Sequence, residues 1–172
     1  MHDFLGKTYD EYIKTNIEFG KYFHKFNFTK NEFRQSFDFK INFYNQNIKL
    51  SIEEIFAMFF TYMKTMVYNF SKLKIKDCII TIPSFYSYRE RSALLQAFEM
   101  TNLKPIAFIN DNIASSVSFL LNHKYDKKLI TYSIFYNMGS RSTQASLIKF
   151  EIDPVYDKET NSTNYYKKIN VI

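Results

Sequence analysis

Cysteine, glycine and proline are scarce in this sequence, and tryptophan is absent. Among 172 residues there are three glycines, three prolines and one cysteine, Cys78. A single cysteine cannot form an internal disulfide, so a disulfide-stabilised scaffold is excluded. None of the three histidines lies near Cys78 in the sequence, which argues against a structural zinc site with about four Cys or His ligands. The low glycine and proline content excludes collagen-like and linker-like sequence.

Long apolar runs and dense clusters of charge are also missing. No stretch of about 18 apolar residues occurs, so the sequence predicts no membrane-spanning helix, and the first residues do not have the pattern of a signal peptide. The net charge of +6 is spread along the chain and favours anionic partners only weakly. A nucleic-acid-binding module built from basic and aromatic residues is therefore a minor alternative, and we expect no nucleic-acid partner.

Aromatic side chains are abundant in the first 50 residues, which we predict to be a β-rich outer segment. Residues 37–43 alternate apolar and polar side chains, as a half-buried strand does. Less regular patterns predict an earlier strand around residues 19–28 and a short strand at residues 48–50.

A helix over residues 52–70 is the clearest local prediction. Ser51 is followed three residues later by Glu54, which forms a capping box at a helix start. Apolar residues then recur at helical spacing, many of them methionine or phenylalanine. This stripe is typical of core packing, and a groove for a partner is the alternative.

Residues 51–172 have the pattern of an α/β segment. We predict helices at residues 87–101 and 112–122, and one sheet built from residues 77–82, 105–109, 129–136 and 143–152. Residues 153–168 are polar and lack periodicity, so they are predicted to be a loop, and residues 170–172 to begin a further strand.

Three blocks in this segment resemble the nucleotide-binding domain of the heat shock protein 70 family. They are residues 79–86 (Ile-Ile-Thr-Ile-Pro-Ser-Phe-Tyr), residues 109–116 (Ile-Asn-Asp-Asn-Ile-Ala-Ser-Ser) and residues 135–143 (Phe-Tyr-Asn-Met-Gly-Ser-Arg-Ser-Thr). Their order and spacing match the family, and the variants within them are similar to its large branch in the endoplasmic reticulum lumen. The resemblance covers about residues 5–172 and is strong from about residue 50 onward.

The resemblance implies an α/β chain with a partial actin-like ATPase fold, which is ribonuclease H-like, containing lobe I only. It implies an ATP-binding chaperone that aids protein folding and nucleotide exchange on a conventional luminal partner chaperone and that holds unfolded polypeptides. The complete protein would use ATP and magnesium, whereas this chain alone is expected to bind neither tightly. The endoplasmic reticulum lumen is the implied location, and the cytoplasm stays open as an alternative.

The turn around Gly139 is the predicted phosphate-binding segment. Glycine lets a ligand approach the backbone closely, and the backbone amides of such a turn can bind phosphate oxygens. The family has Asp-x-Gly-Gly-Gly-Thr there, whereas this chain continues with Ser140, Arg141 and Ser142. Arg141 could pair with a phosphate or fill its site. An ordinary hairpin turn over residues 137–142 is the alternative interpretation.

Asp111 and Asn137 stand at the family's catalytic positions. At position 137 the family has an aspartate that orders magnesium and the attacking water, and neutral asparagine binds a hard cation less well. Asp111 stands where most relatives carry glutamate, and a plain helix-start residue is its alternative role. These changes predict a degenerate site with impaired hydrolysis and no direct metal ligand in this chain.

Pro83 and Arg91 match the proline and arginine that relay the nucleotide state in the family. From the residues alone they are a proline that ends a strand and an arginine on a helix surface. Keeping this pair while losing the charge at Asn137 is consistent with a conformational rather than a catalytic module. The second functional hypothesis is a degenerate, non-hydrolysing version that acts only as a partner-binding or exchange module. Asn27, Asn69 and Asn161 begin glycosylation acceptor triplets, and Asn161 is the one we expect to be exposed.

Overall fold

The computed structural model describes residues 4–18, 27–122, 130–139, 142–157 and 162–172. Its helices are α1 (Tyr9–Glu18), α2 (Ile52–Ser71), α3 (Tyr88–Glu99) and α4 (Asp111–Asn122). Its strands are β1 (Phe28–Asn31), β2 (Ser36–Phe43), β3 (Gln46–Ser51), β4 (Asp77–Ile82), β5 (Lys104–Asn110), β6 (Thr131–Met138), β7 (Thr143–Asp157) and β8 (Ser162–Val171). These elements form two compact units: described residues up to Ile79 with Phe85–Ala107, and Ile80–Ser84 with described residues from Phe108 onward.

The antiparallel sheet β1–β2–β3 confirms the predicted strand at residues 37–43 and the short strand that follows it. Its alternating pattern buries Phe37 and Phe39 on one face. Phe4 completes this aromatic core, with its ring 5.1 Å from that of Phe37 and stacked 4.4 Å from that of Tyr12. Offset and edge-to-face aromatic pairs of this kind add to the stability gained from apolar burial.

Helix α1 was not predicted from the sequence, so the first 50 residues are less purely β-structured than we predicted. The helix begins with a capping box, in which the Glu11 amide donates to the Thr8 hydroxyl and the Thr8 amide donates to the Glu11 carboxylate. The Thr-x-x-Glu spacing was visible in the sequence, but the aromatic content of this region favoured strands. The predicted strand at residues 19–28 lies mostly outside the described residues.

Helix α2 has its predicted capping box, with Ser51 and Glu54 bonding reciprocally. Its first half is packed, and the Phe60 ring stacks on Phe98 of α3 with centroids 4.1 Å apart. In its second half, however, Met66 and Phe70 are exposed, Phe70 at 94%. The prediction of core packing therefore holds for only part of the stripe, because periodicity does not say how far the neighbouring elements extend along a helix.

Helix α3 begins with a second capping box, formed by Ser87 and Glu90. The Glu90 carboxylate is buried and also forms a salt bridge of 3.0 Å with the Lys7 ammonium. Burial raises the pKa of Glu90, but the hydrogen bonds from Ser87 and Lys7 outweigh burial, so the pKa lies below the ordinary value of 4.5. This contact joins the start of the chain to α3.

Glu90 is predicted to make the stability of this unit sensitive to acid. A carboxyl group with a lowered folded-state pKa stabilises the fold above pH 4.5, and this contribution is lost as pH falls through the folded-state pKa. We expect the melting temperature of Glu90→Gln to decrease less steeply than that of the unmodified chain as the pH falls below about 4.5. Part of the slope remains, because hydrogen bonds from Thr8 also lower the pKa of Glu11.

Thermal unfolding followed by circular dichroism across the acidic range measures this effect. Glu99→Gln is the matched control, because Glu99 is an exposed carboxylate at the end of the same helix. Equal slopes for Glu90→Gln and the unmodified chain would contradict the prediction.

The second unit is built around the antiparallel sheet β6–β7–β8, with α4 packed on it. Leu120 of α4 and Ile148 and Phe150 of β7 form its buried core. Phe119, Phe135 and Ile169 pack around them. The core side chains of β7 are two residues apart and therefore share one face of the sheet.

The prediction of a loop over residues 153–168 was wrong, because most of these residues form the end of β7 and the start of β8. These residues lack the alternating apolar side chains of a typical strand, and contacts between β7 and β8 stabilise them instead. Lys168 forms salt bridges with Glu151 at 3.6 Å and with Asp153 at 3.1 Å. Such pairs depend on register, which a single segment does not reveal. The strand predicted at residues 170–172 is the end of β8.

The single sheet predicted from four strands was also wrong. In the described residues β4 and β5 form a two-stranded sheet, whereas β6 and β7 belong to the three-stranded sheet with β8. Consecutive antiparallel strands pair readily through local connections, and periodicity does not say which strand edges meet. The predicted helices at residues 87–101 and 112–122 are confirmed with small shifts of their ends.

Candidate functional site

A hydrogen-bonded polar network surrounds Asp111, the first residue of α4. One carboxylate oxygen accepts from the Asn112 backbone amide at 2.8 Å, and the other accepts from Gln144 Nε2 at 2.9 Å. Gln144 Oε1 accepts in turn from the Ser84 hydroxyl at 3.0 Å. The Asn112 side chain is buried and donates to the Ser146 hydroxyl. All these residues belong to the second unit, so the network is internal to it.

Asn137 lies next to this network because β6 pairs with β7. It lies opposite Gln144 in the β6–β7 ladder, and residues directly opposite each other in an antiparallel pair project to the same face. Gln144 is therefore the shared neighbour of the two predicted catalytic residues, Asp111 and Asn137. Asn137 is exposed at the end of β6 and contributes no negative charge.

Gly139 directly follows β6 and Ser142 directly precedes β7, and these two strands pair antiparallel. The Gly139 amide donates to the Ser142 carbonyl at 2.9 Å, so this amide already has a partner. A Cβ added at Gly139 would meet the Ser142 carbonyl oxygen at 3.6 Å, which is ordinary contact, so the turn itself does not require glycine. Ser142 is exposed, and Ser140 and Arg141 lie outside the described residues.

Pro83 and Arg91, the predicted relay pair, fall in different units and are described separately. Pro83 directly follows β4, whose last residue, Ile82, is buried. Arg91 lies in the first turns of α3, and its Nε donates to the Tyr86 carbonyl at 3.1 Å. Both positions agree with the structural roles that the residues alone indicate, and the relay role stays a prediction.

The described residues do not fit a magnesium ion with bound phosphates. Magnesium is held by oxygen ligands, usually carboxylates together with water and phosphate. Asp111 is the one carboxylate of the network, each of its oxygens accepts one hydrogen bond, and Asn137 is neutral. Within residues 4–18, 27–122, 130–139, 142–157 and 162–172, no group of three or more His, Cys, Asp or Glu side chains could hold a metal ion. The described part of the network therefore offers polar groups and one carboxylate, which is fewer negative oxygen ligands than a magnesium site usually has.

Four further residues complete the network and were not predicted as site residues: Ser84, Asn112, Gln144 and Ser146. The signal for Gln144 and Ser146 is weak but present, because β7 carries polar side chains at 144 and 146 and apolar ones at 148 and 150 on the same face. This change from polar to apolar marks where the buried core ends. Nothing in the local sequence indicates Ser84, whose contact with Gln144 spans 60 residues.

The comparisons with known proteins identify the family. The family model for the Hsp70 protein matches residues 3–168. This chain belongs to the Hsp70 family. Its mixed α/β elements are those of a partial actin-like ATPase fold, so the predicted fold class and the predicted family are confirmed.

Hypoxia up-regulated protein 1 from several vertebrates is similar to this Hsp70-family chain. The Xenopus tropicalis and Danio rerio proteins are each 32% identical to it, covering 88% of the chain and 23% and 15% of their own lengths. The Homo sapiens protein is 34% identical over 69% of the chain and 12% of its own length. The chain thus spans less than a quarter of the length of these relatives.

In the described part of this Hsp70-family chain, no helix is long and apolar enough to cross a membrane. Among the predicted acceptor residues for glycosylation, Asn69 lies near the end of α2 and is exposed, and Asn27 is an exposed residue directly before β1. Asn161, the acceptor that we expected to be exposed, lies outside the described residues.

Proposed function

We propose that this chain is a segment of an Hsp70-type chaperone of the large luminal branch, in which it positions elements around the nucleotide without driving hydrolysis. Family membership and the likeness to Hypoxia up-regulated protein 1 support the chaperone assignment. Domains of the Hsp70 family generally bind ATP and magnesium, and we propose that other parts of the complete protein hold them. The proposed location is the endoplasmic reticulum lumen.

The observation that carries this proposal is the hydrogen bond from Gln144 Nε2 to Asp111 at 2.9 Å. It ties the one carboxylate of the network to a neutral amide, and Asn137 across the ladder adds no second carboxylate. A catalytic magnesium site needs negative oxygen ligands to hold the cation and its waters. We therefore propose slow hydrolysis, because the network supplies one carboxylate where a magnesium site needs several negative oxygen ligands.

The proposed partners are unfolded polypeptides and a conventional luminal Hsp70 chaperone on which the protein promotes nucleotide exchange. A second candidate is a degenerate module that only binds this partner chaperone and does not respond to ATP. Pro83 and Arg91 favour the first candidate, because a relay pair has a use only where nucleotide state changes the conformation. If Arg91→Ala abolishes nucleotide-dependent exchange on the partner chaperone but keeps binding to it, the result would support the relay role over a module that only binds the partner.

Asn137→Asp is expected to raise single-turnover ATP hydrolysis in a chimaera whose Hypoxia up-regulated protein 1 segment from Xenopus tropicalis is replaced by residues 3–168. The new carboxylate would provide a negative oxygen at the end of β6. We expect a gain of about 100-fold, by analogy with the loss in rate when one preorganised electrostatic group such as an oxyanion-hole donor is removed. Arg141→Gly is expected to change mainly the affinity for ATP, because it alters access to the phosphates.

Asn164→Asp is the matched control, because it introduces the same charge on the exposed face of β8. It should leave the hydrolysis rate of the chimaera unchanged. A chimaera with Asn137 that already hydrolyses ATP as fast as the Asn137→Asp variant would refute the proposal of impaired hydrolysis.

The chain by itself is expected to bind ATP weakly or not at all. Nucleotide sites enclose most of their ligand, whereas this chain covers less than a quarter of its relatives and its Gly139 amide is already bonded. Isothermal titration calorimetry of the 172-residue chain with ATP and magnesium measures this. Tight, magnesium-dependent binding would show that the described residues are sufficient for a site.

A further inference from the structure

A groove in the first unit lies outside the polar network and is not used by the proposed function. It has a volume of about 1110 Å³ and is formed by the second halves of α2 and α3, together with residues 74–76 and 102–105. Small-ligand pockets typically have volumes of roughly 300–1,000 Å³, so this groove is large enough for a segment of chain.

The inner surface of the groove is apolar. Phe98, which is 1% exposed, and Leu103 form its buried base, and Leu95 contributes a side chain that is 43% exposed. The stacking of Phe98 on Phe60 holds this base in place. A partly exposed leucine above a fixed aromatic base gains free energy when an apolar group of a ligand covers it.

The rim of the groove is positively charged. It carries Lys64, Lys74, Lys76 and Lys104, against a single acidic residue, Glu99. Among the described residues, no carboxylate lies within salt-bridge distance of these four ammonium groups, although Lys64 Nζ donates to the Thr101 carbonyl at 3.3 Å. An apolar base inside a ring of lysines is complementary to a ligand with the opposite arrangement of charge.

We propose that this lysine-rimmed groove binds a linear acidic peptide, whose carboxylates pair with the rim lysines and whose large apolar side chains cover Leu95 and the base. A peptide fits the groove better than a nucleic acid, because single-stranded nucleic acids stack successive bases on several exposed aromatic side chains. Of the two described aromatic residues that line the groove, Phe98 is buried and only Tyr68 is exposed. The residues that line the groove all belong to the first unit, whereas the polar network around Asp111 belongs to the second.

Fluorescence anisotropy with the 172-residue chain tests this proposal. The probe is a fluorescein-labelled ten-residue peptide that alternates glutamate with leucine and phenylalanine. Two comparison peptides replace glutamate with lysine, or the apolar residues with serine. We expect saturable binding of the first peptide only, weakening as salt is added because exposed ion pairs are screened.

Charge reversal of the rim locates the site. Lys76→Glu with Lys104→Glu is expected to weaken binding by roughly tenfold, because two attractive contacts become repulsive. The matched control is Lys40→Glu with Lys49→Glu, an exposed cross-strand pair in the same unit that changes the net charge equally. Binding in the control should change by less than about twofold.

The apolar contact is tested separately with Leu95→Ser, expected to weaken binding severalfold, against Leu121→Ser, an exposed leucine of α4 that should have no effect. Circular dichroism establishes that each variant is folded. Equal weakening by both double charge reversals would overturn the proposal, since it would show attraction by net charge alone. Displacement of the peptide by anionic phosphatidylserine vesicles with higher affinity would also overturn it, in favour of a lipid surface.

Discussion

Gly6→Ala is expected to unfold the first unit or to destabilise it by more than about 3 kcal/mol, because two penalties combine. Gly6 has φ of +66°, a left-handed conformation that side chains with a Cβ rarely adopt. A Cβ at this position would lie 2.6 Å from the Glu90 backbone nitrogen and 2.8 Å from the Arg89 carbonyl carbon. These atoms belong to the first turn of α3 and cannot move without breaking its capping box.

Urea denaturation followed by circular dichroism measures the loss, and Gly139→Ala is the matched control. At Gly139 an added Cβ meets only the Ser142 carbonyl oxygen, at 3.6 Å, so a change of about 0.5 kcal/mol or less is expected. Equal unfolding midpoints for Gly6→Ala and the unmodified chain would show that the chain start does not pack on α3 in solution.

Phe150→Ala is expected to destabilise the second unit by about 3–5 kcal/mol, the usual cost of removing a buried phenylalanine. The Phe150 side chain is 2% exposed and lies beside Ile148 and Leu120. Its ring centroid is 5.9 Å from that of Phe119 and 6.2 Å from that of Phe135. Removal of the ring leaves a cavity where α4 packs on the sheet.

Hydrogen exchange of the backbone amides of β6, β7 and β8 measures this loss of stability in the second unit separately from the first. Tyr132→Ala is the control, because Tyr132 is an aromatic residue of the same sheet that is 59% exposed. It should cost about 1 kcal/mol or less. Protection that falls equally in both variants would contradict the assignment of Phe150 to the core.

Local signals predicted the elements well where they act over a few residues. The capping boxes at Ser51 and Ser87 located the starts of α2 and α3, and the alternation in residues 37–43 located β2. Asn102, which follows α3, has φ of +55°, a left-handed conformation that asparagine adopts more readily than most residues. Helix α1 has the same capping signal at Thr8, and it was missed because the surrounding aromatic residues were interpreted as strand residues.

For the candidate site, the sequence indicated Asp111, Asn137 and Gly139 as candidate residues, and that assignment stays a prediction. Their hydrogen-bond partners were not predicted. Gln144 lies 33 residues from Asp111, and no local pattern joins them. Whether a carboxylate is available to a cation depends on those partners. Their effect appears only when α4 and β7 are packed together.

The sequence by itself determined the family, the neutral residue at position 137 and the ends of most helices, because motifs and caps depend on residues a few positions apart. The tertiary structure decided that residues 153–157 and 162–168 are paired strands, that Gly6 must lack a side chain, and that lysines from separate segments of the chain line one groove. The physical reason is that register, close backbone approach and shared surfaces arise from contacts between segments far apart in the chain.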